Sequence, residues 1–170
     1  MRHWALPATA IGAAISISSS GSASPVQGPV SGIYVLDRGE SDDVHKAIAS
    51  AVAVPDVTRI TGRLRKSNTP SLGLRLSSSA GRFSIKDDVN PPIVVWISGE
   101  PIKWKLGDGQ VFEVSAKANG ETVSLTFRAV DSERTTVYRS VGQQLVAETT
   151  LISPRLSTPL RYKLVYNRAN

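Results

Sequence analysis

QVFEVSAKANGETVSLTFRAVDSERTTVYRSVGQQLVAETTLISPRLSTPLRYKLVYNR, Gln110 to Arg168, is the stretch whose reading decides the fold. It divides into short runs of alternating apolar and polar residues: Val111–Lys117, Thr122–Ala129, Thr135–Val141, Leu145–Ile152 and Leu160–Arg168. Between them lie turn residues, namely Asn119-Gly120, Asp131-Ser132, Gly142-Gln143 and the Ser153-Pro154 to Pro159 loop. Period-two alternation broken every roughly 8–12 residues by turn signals marks a meander of antiparallel strands, each buried on one face. Such a meander belongs to a barrel or a sandwich.

Working outward, the preceding chain is also strand-like from Thr58. Arg59–Ser67 alternates Ile60, Gly62 and Leu64 against Arg59, Thr61, Arg63 and Arg65. Leu72, Leu74 and Leu76 alternate, as do Phe83 and Ile85, and Ile102, Trp104 and Leu106. Ile93–Ser98 is continuously apolar, which suits a strand covered on both faces or by a helix. The total is about ten strands, and a sheet of that size tends to curl or close because closure removes its edges. No fixed-period repeat argues for a propeller or solenoid.

One helix is expected, at the N-terminal side. Ser41 can cap it, and Asp42 and Asp43 place negative charge on its first turn. Val44, Ala47, Ile48, Ala51 and Val52 then form an apolar stripe at helical spacing, and Pro55 stops it. The stripe needs an apolar surface, and the sheet supplies it. Before it, Gly32–Leu36 reads as a strand.

The N-terminus has the layout of a secretory signal. Arg2 and His3 precede an apolar segment from Ala5 to Ile17, followed by the small residues Gly21-Ser22-Ala23. Residues 1–23 are therefore expected to be a signal peptide, 24–31 a Pro/Gly linker, and 32–170 the barrel domain. The apolar segment is too short for a bilayer-spanning helix of about 20 residues. The chain of 170 residues holds no cysteine, which excludes a disulfide framework, a thiolate nucleophile and a cysteine-linked lipid anchor. Export to a bacterial periplasm, or secretion, is the expectation.

Lys and Arg number 20 against 14 Asp and Glu, a net charge of +6, but the cations are scattered. No nucleic-acid motif accompanies them, so no nucleic-acid partner is expected. Enzymatic patterns are missing as well. His45 lies on the polar helix face with no nucleophile beside it, and no Gly-x-Ser-x-Gly occurs. Asp37, Glu40, Asp42 and Asp43 lack the spacing of a calcium loop and read as a capped helix start. The expectation is no catalytic residue, no metal and no cofactor.

Arg139 is the most informative charge. Taking Val137 and Val141 as the apolar face puts Arg139 on that face, where it either reaches past the rim to solvent or points into a cavity. Tyr162, Leu164 and Tyr166 share one face of the last strand, and Trp96 and Trp104 read as core or rim packing.

Together these parts resemble the fatty-acid-binding proteins. The opening Gly32-Ile33-Tyr34-Val35-Leu36 is followed by Asp42-Asp43-Val44-His45-Lys46-Ala47-Ile48, and the end carries Glu133–Arg139, a turn, Leu145–Glu148 and a tyrosine-rich final strand. The resemblance implies an up-and-down antiparallel barrel of the calycin or lipocalin-like kind around a cavity for an apolar or amphipathic ligand. It also implies an inward Arg139, with Tyr162, Tyr166 and Trp104 completing the ligand-binding set. Two departures stand out: Leu164 occupies the place of the family's final-strand arginine, and one helix is evident where the family has two. The rival readings are a structural or protein-interaction barrel filled by side chains, an outer-membrane barrel, against which the charged outer faces speak, and an enzyme using carboxylates on a calycin barrel.

Overall fold

A computed structural model describes residues 31–52, 57–106 and 109–169. The expected signal peptide and all but the last residue of the linker lie outside that range. The element order is β1 (Gly32–Asp37), α1 (Val44–Ala51), α2 (Val57–Ser67), β2 (Gly73–Ser79), β3 (Arg82–Asp87), β4 (Ile93–Trp96) and β5 (Ile102–Lys105). It continues with β6 (Val111–Asn119), β7 (Thr122–Arg128), β8 (Glu133–Val141), β9 (Gln144–Ile152) and β10 (Leu160–Arg168). One ten-stranded sheet in the order β4-β3-β2-β1-β10-β9-β8-β7-β6-β5 wraps into a nearly closed antiparallel barrel. Consecutive strands pair throughout except β4 and β5, the two edges of the sheet, and β1 links the two halves by pairing with β10 as well as β2. Near closure comes from the chain after β4: the Ala118 amide donates to the Ile97 carbonyl at 3.3 Å, and Ser98 bridges to Lys117.

The pleat sorts the residues as alternation requires. Leu74, Leu76, Phe83, Ile85, Val114, Val123, Leu125, Leu145 and Leu160 are buried inside. The outer positions Glu113, Lys117, Arg128, Arg139, Arg161 and Lys163 are charged, and most of them are exposed. Apolar inside and charged outside is the reverse of a transmembrane barrel, whose outer band faces lipid. Among the described residues no helix is long and apolar enough to cross a membrane.

Helix α1 buries the expected stripe, with Val44, Ile48, Ala51 and Val52 in the core and His45 and Lys46 exposed. Its cap is Asp43, whose Oδ1 accepts from the His45 and Lys46 amides at 2.9 and 3.1 Å. Ser41 and Asp42 have a different task. The Ser41 hydroxyl accepts from the Val165 amide, and Asp42 exchanges hydrogen bonds with the Lys163 backbone through both its amide and its carboxylate. The two residues extend the β1 side of β10 and fix where α1 starts.

Two local expectations are overturned. The segment expected as a strand over Arg59–Ser67 lies within α2, so among the described residues the barrel carries two helices rather than one. Ile60 and Leu64 sit four residues apart, a spacing that serves both a strand face and a helix face. The helix wins because it also brings Thr61 and Asn68 to the buried side while Arg63, Arg65 and Lys66 go to solvent. Arg65 and Lys66 fall in its last turn, where the dipole favours cations. The apolar run at β4 is likewise not covered on both faces. Ile93 and Val95 are buried, whereas Val94 and Trp96 are about half exposed on the outer wall, and Arg82 stacks 4.4 Å over the Trp96 ring.

The helices and the β10 approach close one end. The Ser157 amide and hydroxyl both donate to the Ala51 carbonyl, at 3.0 and 2.9 Å, so the Ser153–Pro159 loop satisfies the end of α1. Asn68 ends α2, its amide and side-chain Nδ2 both donating to the Leu64 carbonyl at 2.9 Å.

Candidate functional site: an interior cavity beneath the second helix

Inside the barrel, against the C-terminal end of α2, lies a cavity of about 100 Å³. Its walls come from the inward residues of β2–β5 and β7–β10 and from the chain around Ser67–Ser71. The walls are apolar on one side and hydroxylated on the other.

The apolar side includes Leu74, Ile85, Ile93, Leu125 and an aromatic group. Trp104 meets Phe127 edge-on at 5.6 Å, and Phe112 completes the group at 6.2 and 6.3 Å from the two rings. The Trp104 indole N–H is buried with no hydrogen-bond partner among the described residues. An unmet buried donor costs about 1–3 kcal/mol, so this one is a standing reason for an acceptor to enter.

The polar side is built from β8, β9 and β10. Thr136 and Thr149 share a hydrogen bond of 2.9 Å. The Tyr162 hydroxyl donates to Asn68 Oδ1 at 3.2 Å. Tyr138 and Tyr166 complete a group of phenols on this wall. Burial pushes all three phenols above their ordinary value, Tyr138 and Tyr166 most strongly. For Tyr166 the neighbouring Tyr138 and Tyr162 add to that rise, which places the three together. All therefore remain neutral hydroxyls around pH 7, able to donate.

Arg134 supplies the charge. It stacks 4.4 Å over Phe127 and its Nη1 donates to the Ser67 carbonyl at 3.2 Å. Its positive charge partly offsets the burial effect on Tyr138 and Tyr162. Asp87 is the acid on the wall, and its carboxylate is committed to the turn that follows: Oδ1 accepts from the Val89 amide at 2.9 Å, and Oδ2 from Asn90 Nδ2 at 2.9 Å. Among the described residues no cluster of three or more metal-ligating side chains occurs.

Of the residues expected from the sequence, Tyr162, Tyr166 and Trp104 are brought together on this wall. Arg139 is not. It is exposed on the outer face, because β8 turns Arg134, Thr136 and Tyr138 inward and leaves Val137 and Val141 outside. The register shows why. Tyr138 stands between Val123 on β7 and Ala147 on β9, both buried, so its side is the core side. A buried tyrosine ring removes far more apolar area from water than a valine, and one residue of slip would expose it. Arg134, Tyr138, Thr136, Thr149 and Asn68 are the residues that sequence reasoning missed. Parity with Tyr138 was the signal for the first and third; nothing in the sequence pointed to Asn68.

No protein-family profile matches the sequence, and no curated protein does either. Solved structures match in shape at low identity. A "secretary abundant heat soluble" protein from Ramazzottius varieornatus superposes with a TM-score of 0.60 at 8% identity, over 86% of this chain and 100% of that one. The "REP1-NXSQ fatty acid transporter" gives 0.57 at 13%, over 82% and 96%. The fatty-acid-binding protein 1 of Echinococcus granulosus gives 0.56 at 11%, also over 82% and 96%. This chain thus has the ten-stranded calycin-type barrel fold of the fatty-acid-binding proteins.

Proposed function

We propose that the protein binds a small amphipathic molecule inside the barrel and is not an enzyme. Its polar head meets the Tyr138, Tyr162 and Tyr166 hydroxyls and Arg134, and its apolar part lies toward Trp104, Phe127 and Ile93. The observation that carries this reading is a buried wall of hydrogen-bond donors, Tyr138, Tyr162, Tyr166 and Trp104, of which the Trp104 indole N–H has no partner among the described residues. Donors arranged in this way select a ligand with acceptor atoms. The structural neighbours support the reading by their names, among them a fatty acid transporter and a zebrafish ileal bile acid-binding protein complexed with cholic acid.

Tyr166→Phe tests it, since only one buried hydroxyl is removed. Anthroyloxy-stearate, which carries a carboxylate head, is expected to bind the variant roughly 10- to 150-fold more weakly, the worth of one hydrogen bond to a charged group. N-phenylnaphthylamine, a neutral apolar probe, is expected to bind parent and variant alike. Equal weakening of both probes removes the head-group assignment.

A specific observation favours a second reading, in which the barrel is structural. The cavity of about 100 Å³ has room for about three water molecules, while ligand pockets span roughly 300–1,000 Å³. On the binding reading, a ligand of ordinary size enters only with movement of the wall.

Export belongs to the same proposal, carried by Arg2, the Ala5–Ile17 segment and Gly21-Ser22-Ala23. N-terminal sequencing of protein recovered outside the cytoplasm should begin at or near Ser24; recovery there of chains beginning at Met1 overturns it.

A further inference from the structure

The end of α2 forms one wall of the cavity, and it already holds two of the donors a ligand would need. The Tyr162 hydroxyl, on β10, donates to Asn68 Oδ1 at 3.2 Å. Arg134, on β8, donates to the Ser67 carbonyl at 3.2 Å. Both donors come from the barrel wall and both acceptors from consecutive residues at the end of one helix. Asn68 is 5% exposed and Tyr162 8%, so this contact lies inside the cavity rather than on its rim. Asn68 is itself held to the helix, its Nδ2 donating to the Leu64 carbonyl at 2.9 Å and to the Ser67 hydroxyl at 3.1 Å. The apolar residues Ile60 and Leu64 of α2 are only partly buried, so hydrophobic packing does not pin this end as firmly as it pins α1.

We propose that Asn68 and the Ser67 carbonyl are a built-in competitor for the polar subsite, holding the cavity small until a ligand bearing acceptor oxygens displaces them. The inference rests on the ligand-binding reading above and adds a residue that sets its affinity. In the latched form Tyr162 and Arg134 are satisfied and α2 closes the cavity. In the open form both are free to receive a head group and the end of α2 has withdrawn, which supplies the missing volume. Because ligand and latch use the same donors, the apparent affinity is the intrinsic one reduced by the fraction of open protein. Weakening the latch without touching Tyr162 or Arg134 therefore strengthens binding, the opposite of what removing a ligand contact does.

The test uses the full chain with Asn68→Ala, and Tyr162→Phe as a second variant that keeps the ring and loses only the donor. Amide hydrogen exchange without ligand is expected to speed up over residues 64–69 in both variants relative to α1, and a double variant should add little to either. Anthroyloxy-stearate is expected to bind Asn68→Ala about 2- to 12-fold more tightly and to associate faster. Unchanged exchange in both variants overturns the latch. Faster exchange with unchanged or weaker probe binding overturns the competition and leaves Asn68 as a helix cap. A parent and an Asn68→Ala variant that both bind no probe remove the binding reading itself and the competition with it, an outcome distinct from the other two.

Discussion

Ile48→Asp is expected to destabilise the protein by about 2–5 kcal/mol, the range for an apolar core residue replaced by an unpaired charge. Ile48 is 0% exposed, at the centre of the stripe that α1 lays on the core with Val44 and Ala51. The helix is short, eight residues, and such a helix is marginal without tertiary packing, so its buried face carries most of its stability. Among the described buried residues there is no cation for an aspartate at this position to pair with, and the Asp43 cap and the Ser157 bonds to Ala51 hold the helix in place around it. The melting temperature should fall by roughly 4–20 °C. A variant melting within a degree or two of the parent would show that α1 is not docked as described.

The strands were legible because period-two alternation and turn chemistry agree along the C-terminal half. The runs read at Val111–Lys117, Thr122–Ala129, Leu145–Ile152 and Leu160–Arg168 match β6, β7, β9 and β10 to within two residues at either end. Asn119-Gly120 is a hairpin turn with Gly120 at φ 58°, a conformation that glycine adopts without strain. The stripe of α1 was legible for the same reason, since five apolar positions fit only one period. Helix α2 was not. Its apolar positions Ile60 and Leu64 are too few to separate the two periods, and β-branched Thr58, Ile60 and Thr61 favour the wrong one.

The site was legible in part for a related reason. On β10 the three inward residues Tyr162, Leu164 and Tyr166 are all large, so the face is unambiguous. On β8 both faces carry apolar side chains, Val137 and Val141 on one and Tyr138 on the other. Local sequence cannot choose between them; the pairing with Val123 and Ala147 does. The choice moved the interior arginine from Arg139 to Arg134. Asn68 was out of reach, because its role depends on the placement of a helix that read as a strand.

Ala147→Phe tests, at the cavity wall, the proposal that a ligand occupies the barrel interior. Ala147 is 4% exposed on β9, between Tyr138 and Leu164, and lines the cavity. A phenyl ring there projects into the space that a bound molecule would fill. Forcing two bodies into one packed space costs about 1–3 kcal/mol, which is roughly 5- to 150-fold in Kd. The direct measurement is fluorescence titration of parent and Ala147→Phe with anthroyloxy-stearate and N-phenylnaphthylamine, with circular dichroism showing that both proteins are folded. Saturable binding of both probes by the parent is expected, with loss of affinity for both in the variant. Equal binding by parent and variant would place the probes outside the barrel, and a folded parent that binds neither would make the barrel a structural one.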